Sequence, residues 1–230
     1  MSRTWAAGFL HKSAKRRLIF ATTLVSAVFS YTQQTENFLD CLNLIPQEGV
    51  FSLKDHRDKC FRDQLDFSNS AAVQNTEKLF GLSTGEIGFV GCDIAPFSTR
   101  IDRSEPELHF QILYNSALDR SASTIAILHE LGHIYQLKQA GSHEGLLSSV
   151  HQDLERVELG ADYLSGLAIA RLHMNEKDFD VGLALVGSYV IHSAPHGLPH
   201  ERSASFNYGV TDGKTGNSVN SLYAEFQDNQ

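Results

Sequence analysis

Basic residues are scarce in this chain, cysteine is scarcer, and long apolar runs are missing. Lys and Arg number 19 against 27 Asp and Glu, a formal net charge of −8 over 230 residues. An acidic surface repels phosphate backbones, which excludes nucleic acid as an expected partner. The three cysteines, Cys41, Cys60 and Cys92, include no C-x-x-C spacing, which argues against a thiolate zinc site. At most one disulfide can form within the chain. The favoured pair is Cys41–Cys60, which flanks a turn at Pro46-Gln47-Glu48-Gly49 and would contribute about 3 kcal/mol by closing that loop. The apolar stretches at 18–29 and 178–191 both fall short of the roughly 20 residues that a membrane-spanning helix needs. No internal repeat is visible.

The first of those stretches follows Lys12, Lys15, Arg16 and Arg17 and ends at Val28-Phe29-Ser30. This order reads as an export signal over residues 1–30, cleaved after Ser30; an uncleaved N-terminal anchor is the alternative. Cleavage would remove five basic and no acidic side chains, shifting the net charge from −8 (19 basic, 27 acidic) to −13 (14 basic, 27 acidic). The expected location is therefore periplasmic or secreted, with no stable membrane span after cleavage and with oxidising conditions around the cysteines. Residues 31–210 suit one globular domain. Residues 211–230, polar and rich in Gly and Asn, are expected to form a poorly ordered tail.

Local patterns predict an α+β domain. Residues 31–80 read as mainly helical. The β-branched and aromatic content of 85–91 and 109–115 predicts two short strands, with Phe110, Ile112 and Tyr114 alternating onto one face. The stretch 94–106, with two prolines and several charges, reads as an exposed connection or a lid. Asp119 or Ser121 can cap a helix that runs through Ile125, Leu128 and Leu131 and stops at Gly141. Two further helices are expected, at about 150–174 and 178–191.

The central helix carries His129-Glu130-Leu131-Gly132-His133. Imidazoles four residues apart on a helix share a face and can grip one metal ion, with the carboxylate alongside to work a bound water. Catalytic zinc takes three protein ligands and leaves a fourth position for water. The metzincin extension, which would provide Gly and His at the third and sixth positions after the second His, fails here, because those positions are Gln136 and Gln139. Glu158-Leu-Gly-Ala-Asp162 offers a carboxylate instead: Glu158 and Asp162 lie on one helix face, and Gly160 and Ala161 would let two helices approach closely. Alone, such a pair reads equally as a solvated acidic face. In the site it predicts one Zn²⁺ per chain held by His129, His133 and Glu158, with Asp162 accepting the free ring N–H of a ligand histidine. Glu130 would take the proton as zinc-bound water attacks a carbonyl, and return it to the leaving amine. Isolated histidines are more often structural or surface residues, which is the reading for His143, His151, His173 and His192.

His-Glu-Leu-Gly-His followed by Glu-Leu-Gly-Ala-Asp resembles the gluzincin metallopeptidases. His196-Gly-Leu-Pro-His-Glu-Arg202 is similar to the H-[PG]-x-x-x-x-R segment of HtpX-like and bacterial neutral zinc metallopeptidases. The resemblance covers roughly residues 105–210 and implies a zincin-like fold, mainly helical, with a small sheet whose edge strand precedes the active-site helix. That strand would bind peptide by β-augmentation, a role falling here to residues 109–115. The resemblance also implies that Arg202 organises the site or pairs with a nearby acid, and that His196 stabilises the oxyanion. An ordinary surface loop is the competing reading of 196–202. HtpX-like peptidases carry transmembrane helices and this chain shows none, so a membrane-protein substrate is not carried over. The expected function is a zinc endopeptidase acting on protein or peptide outside the cytoplasm. The alternative is a catalytically silent or latent zincin-fold protein that uses the metal or the fold for binding or support.

Overall fold

The computed structural model describes residues 60–92, 97–102, 109–150, 153–174 and 197–230. The export signal expected at 1–30, the stretch 31–59 that includes Cys41, and the helix expected at 178–191 lie outside them. Among the described residues the protein is α+β, mostly helical with one four-stranded sheet.

Strands β1 (Cys60–Arg62), β2 (Ile87–Cys92), β3 (Ser98–Asp102) and β4 (His109–Asn115) lie in the order β1-β2-β4-β3. β2 runs parallel to β4, whereas β1 and β3 are antiparallel to their neighbours. Strand alternation sends Ile87, Phe89, Phe110, Ile112 and Tyr114 into the main core. Leu113, Cys92 and Val90 form a small cluster apart from it.

Two strand expectations change. Strand β4 is bonded to β2 on one side and to β3 on the other, so its backbone groups are already satisfied and it cannot take an added strand. Among the described residues the outer strand on that side is β3, within the stretch read as a connection or lid. Its Ser-Thr-Arg-Ile-Asp sequence mixes β-branched residues with charges, as sheet edges commonly do. The disulfide also differs: Cys60 is bonded to Cys92. These two residues are register partners across β1 and β2, a proximity set by strand pairing that the spacing from Cys41 gave no hint of.

The segment 60–80, read as helical, holds β1, a 3-10 turn at Phe67–Asn69 and helix α1 (Ala71–Leu79). Glu77 of α1 is 2 % exposed, and its Oε2 finds no hydrogen-bond partner among the described residues. Burial pushes this carboxyl up to about 7 from an ordinary 4.5. The folded protein therefore holds a proton that the unfolded chain releases, and stability is expected to fall as pH rises from about 4.5 to about 7. Glu77→Gln is neutral throughout, so it should stabilise the fold by about 2 kcal/mol at pH 8 and by almost nothing at pH 4. Urea unfolding at the two pH values checks this; an equal effect at both would show that ionisation is not the cause.

Helix α2 (Arg120–Ala140) begins at Asp119, whose side chain accepts from Ser121 N–H, and ends at Gly141, whose φ of 73° is left-handed. Short helix α3 (His143–Ser149) precedes α4 (Leu154–Arg171), which lies within the helix expected at about 150–174. Helices α5 (Pro199–Gly213) and α6 (Val219–Asp228) close the described chain. Helix α5 starts with proline at its first turn, and the Glu201 carboxylate accepts from Leu198 N–H at 2.7 Å.

Helix α4 is buried on nearly every side: residues 157, 158 and 160–169 are all buried, with Glu158, Asp162 and Ser165 the polar members. It packs against α5 through glycine. A Cβ on Gly209 would stand 1.9 Å from the Tyr163 carbonyl oxygen, and one on Gly166 would stand 2.1 Å from that of Phe206, so any side chain at either position would force the helices apart. The expected polar tail is also corrected. Residues 214–218, with Gly216 and Asn217, make a loop, but Val219, Leu222 and Tyr223 of α6 are buried, and Phe226 stacks on Tyr163 with ring centroids 4.1 Å apart. No helix among the described residues is long and apolar enough to cross a membrane.

Candidate metal centre

The helical spacing of His129 and His133 puts their rings 4.5 Å apart. Leu128, Leu131 and Ile134, all fully buried, fix the helix around them. Helix α4 crosses α2 at Gly132, where a Cβ would meet the Ala161 backbone at 3.1 Å. That close approach brings the Glu158 carboxylate to both rings, 3.3 Å from His129 Nε2 and 3.5 Å from His133 Nε2. The three donor atoms lie within 4.8 Å of one another, and all three residues are buried.

These separations suit one small cation. Donors placed about 2.1 Å from a tetrahedral ion stand about 3.4 Å apart, matching the two distances observed. The chemistry fits as well, since two imidazoles and a carboxylate form a donor set that zinc accepts. His133 Nε2 is buried and makes no hydrogen bond among the described residues, a costly state unless the lone pair has an electrophile to face. The group could therefore hold a metal ion.

Around this cluster, Asp162 Oδ1 lies 2.9 Å from His129 Nδ1. Arg202, on the first turn of α5, clamps the same carboxylate through Nε to Oδ2 at 2.7 Å and Nη2 to Oδ1 at 2.8 Å. Both partners of that pair are buried, Asp162 at 1 % exposure and Arg202 at 3 %. Burial works against the Asp162 charge, but Arg202 and His129 outweigh it and hold the carboxyl below its usual range. In the metal-free site, burial pushes the His129 imidazole down, yet hydrogen bonds to Asp162 and Glu158 overcome this and raise it to about 10. Burial dominates at His133, which falls to about 4. Cation binding at this centre is therefore expected to displace a proton from His129.

Glu130 is 1 % exposed, and burial raises its carboxyl to about 7. Its Oε2 accepts from Thr99 Oγ1 at 2.6 Å, which ties this carboxyl group to strand β3. A carboxylate near neutrality is well placed to take and return a proton.

Of the residues selected from sequence, the structure brings together His129, His133, Glu158, Asp162, Glu130 and Arg202. His196 lies outside the described residues. His173 and His200 are exposed. Three residues of the site went unselected. Thr99 carried no local signal, because its contact spans 31 positions. Gln136 stands one turn after His133 and bonds its ring at 2.9 Å, so helical spacing could have found it. Tyr223 sits in the segment read as tail. Comparisons with protein-family models, with curated proteins and with solved structures gave no match.

Proposed function

We propose that the protein is a zinc-dependent metallopeptidase with a zincin-like fold. One observation carries the reading most of the way: a carboxylate of raised proton affinity, Glu130, held by Thr99 beside a buried three-donor cluster. A purely structural metal site has no use for that group and commonly closes its coordination with a fourth protein ligand. Zinc, when bound, supplies Lewis-acid activation of water and of a substrate carbonyl. The chain's own residues supply the rest. His129, His133 and Glu158 would hold the ion, Asp162 and Arg202 would keep the His129 ring in place, and Glu130 would take the proton from water and return it to the departing amine.

Peptide is the substrate class we infer: β3, the outer strand on that side among the described residues, is tied to Glu130 through Thr99 and would offer backbone groups to an extended chain. A location outside the cytoplasm, after removal of residues 1–30, is supported by the Cys60–Cys92 disulfide, a bond that persists in oxidising compartments. The latent or catalytically silent alternative is favoured by the near-complete burial of His129, Glu130 and His133. The donor assignment is tested by zinc titration of two variants on one helix. Glu158→Ala should weaken zinc binding by at least about 100-fold, and Glu155→Ala by less than about twofold. Equal losses would remove Glu158 from the ligand set.

A further inference from the structure

A metal-binding imidazole must carry its proton on the nitrogen that faces away from the ion, and the second nitrogen's partner decides whether it does. For His129 that partner is Asp162. For His133 it is Gln136, whose Oε1 lies 2.9 Å from Nδ1. An amide is ambiguous, since either of its ends could face the ring. Here its orientation is decided by what lies on its other side. Gln136 Nε2 donates to the Val157 carbonyl oxygen at 2.9 Å, an atom that can only accept. The same nitrogen donates to Tyr223 Oη at 2.8 Å. The amide nitrogen is thereby committed, the amide oxygen must face the ring, and His133 Nδ1 must be the donor. Its Nε2 is left with a lone pair directed to the Glu158 side.

Tyr223 comes from the C-terminal helix α6, 87 positions from Gln136, and its ring sits edge-on to Tyr135 with centroids 5.7 Å apart. Gly160 makes room for the contact, because a Cβ there would stand 2.5 Å from Gln136 Nε2 and 2.8 Å from Tyr223 Oη. A glycine in the middle of α4, two residues from Glu158, thus has a steric reason of its own.

We infer that Gln136 and Tyr223 are positioning residues that set the Nε2 lone pair of His133, and that α6 thereby controls the metal affinity of the site. This rests on the zinc-site reading above, but its first test does not need a metal. In the metal-free full chain, the ¹H–¹⁵N two-bond spectrum should show His133 as the Nδ1–H tautomer. An Nε2–H signal in the unaltered protein would overturn the inference. Gln136→Leu should turn that signal into a mixture of tautomers and weaken zinc binding about 10- to 100-fold. Tyr223→Phe keeps the ring packing and the Val157 bond while removing one acceptor, so it should cost about three- to tenfold in zinc affinity with little change in melting temperature. A Tyr223→Phe zinc affinity within twofold of the unaltered chain would overturn the role of α6. Should the unaltered chain fail to bind zinc, the metallopeptidase reading falls, while the tautomer spectrum still decides whether Gln136 sets the His133 proton.

Discussion

Glu130→Gln is expected to keep about one zinc per chain and to lose about 10³-fold in kcat. The amide has the size of the carboxylate, and its oxygen can still accept from Thr99 Oγ1, which now lies 2.6 Å from Oε2. Packing and metal binding should therefore survive. What disappears is a group that can take a proton, and burial has already brought that group close to neutrality. The assay is hydrolysis of an unstructured protein under saturating zinc, read beside metal content. Loss of zinc together with activity would mean that Glu130 supports the centre rather than working on a substrate. Full activity would exclude it as the base.

Arg202→Met should lower stability by about 3–5 kcal/mol, because it strands a carboxylate in a dry site. Asp162 now receives two charge-assisted bonds from the guanidinium, and neither residue has appreciable solvent contact. Methionine fills much of the volume but gives the carboxylate nothing in exchange. His129 would then be Asp162's remaining partner of those described above, and zinc affinity should fall with stability as the ring loses its fixed orientation. The double change Arg202→Met with Asp162→Leu should recover much of the stability and none of the zinc affinity. Urea unfolding and zinc competition, run in parallel, separate the two effects. A cost below about 1 kcal/mol for Arg202→Met would show that Asp162 is better solvated than its burial implies.

The site was more legible in the sequence than the sheet. His129, His133, Glu158 and Asp162 follow from helical periodicity, and periodicity is local: residues four apart share a face whatever surrounds them. The bounds of α2 were equally plain in Asp119 and Gly141. Strand order is not local. Nothing in residues 109–115 says that a strand at 98–102 will cover their outer edge, so β4 looked free when it is interior. Cys60 and Cys92 meet for the same reason, through register across a pair of strands. The C-terminal helix was missed differently. Gly213, Gly216 and Asn217 colour the whole segment polar, while Val219, Leu222, Tyr223 and Phe226 repeat at helical spacing within it. Average composition hid a period, and with it the tyrosine that reaches Gln136.

The most direct test of the metallopeptidase account is hydrolysis of a casein-like unstructured protein by the purified full chain. It should be run as isolated, after treatment with a chelator, and after zinc is added back. A zinc-dependent peptidase mechanism requires cleavage by the isolated protein, loss of cleavage on chelation, and recovery at about one zinc per chain. Cleavage that persists in the chelated, metal-free protein, or none at all in the zinc-loaded protein, would contradict it.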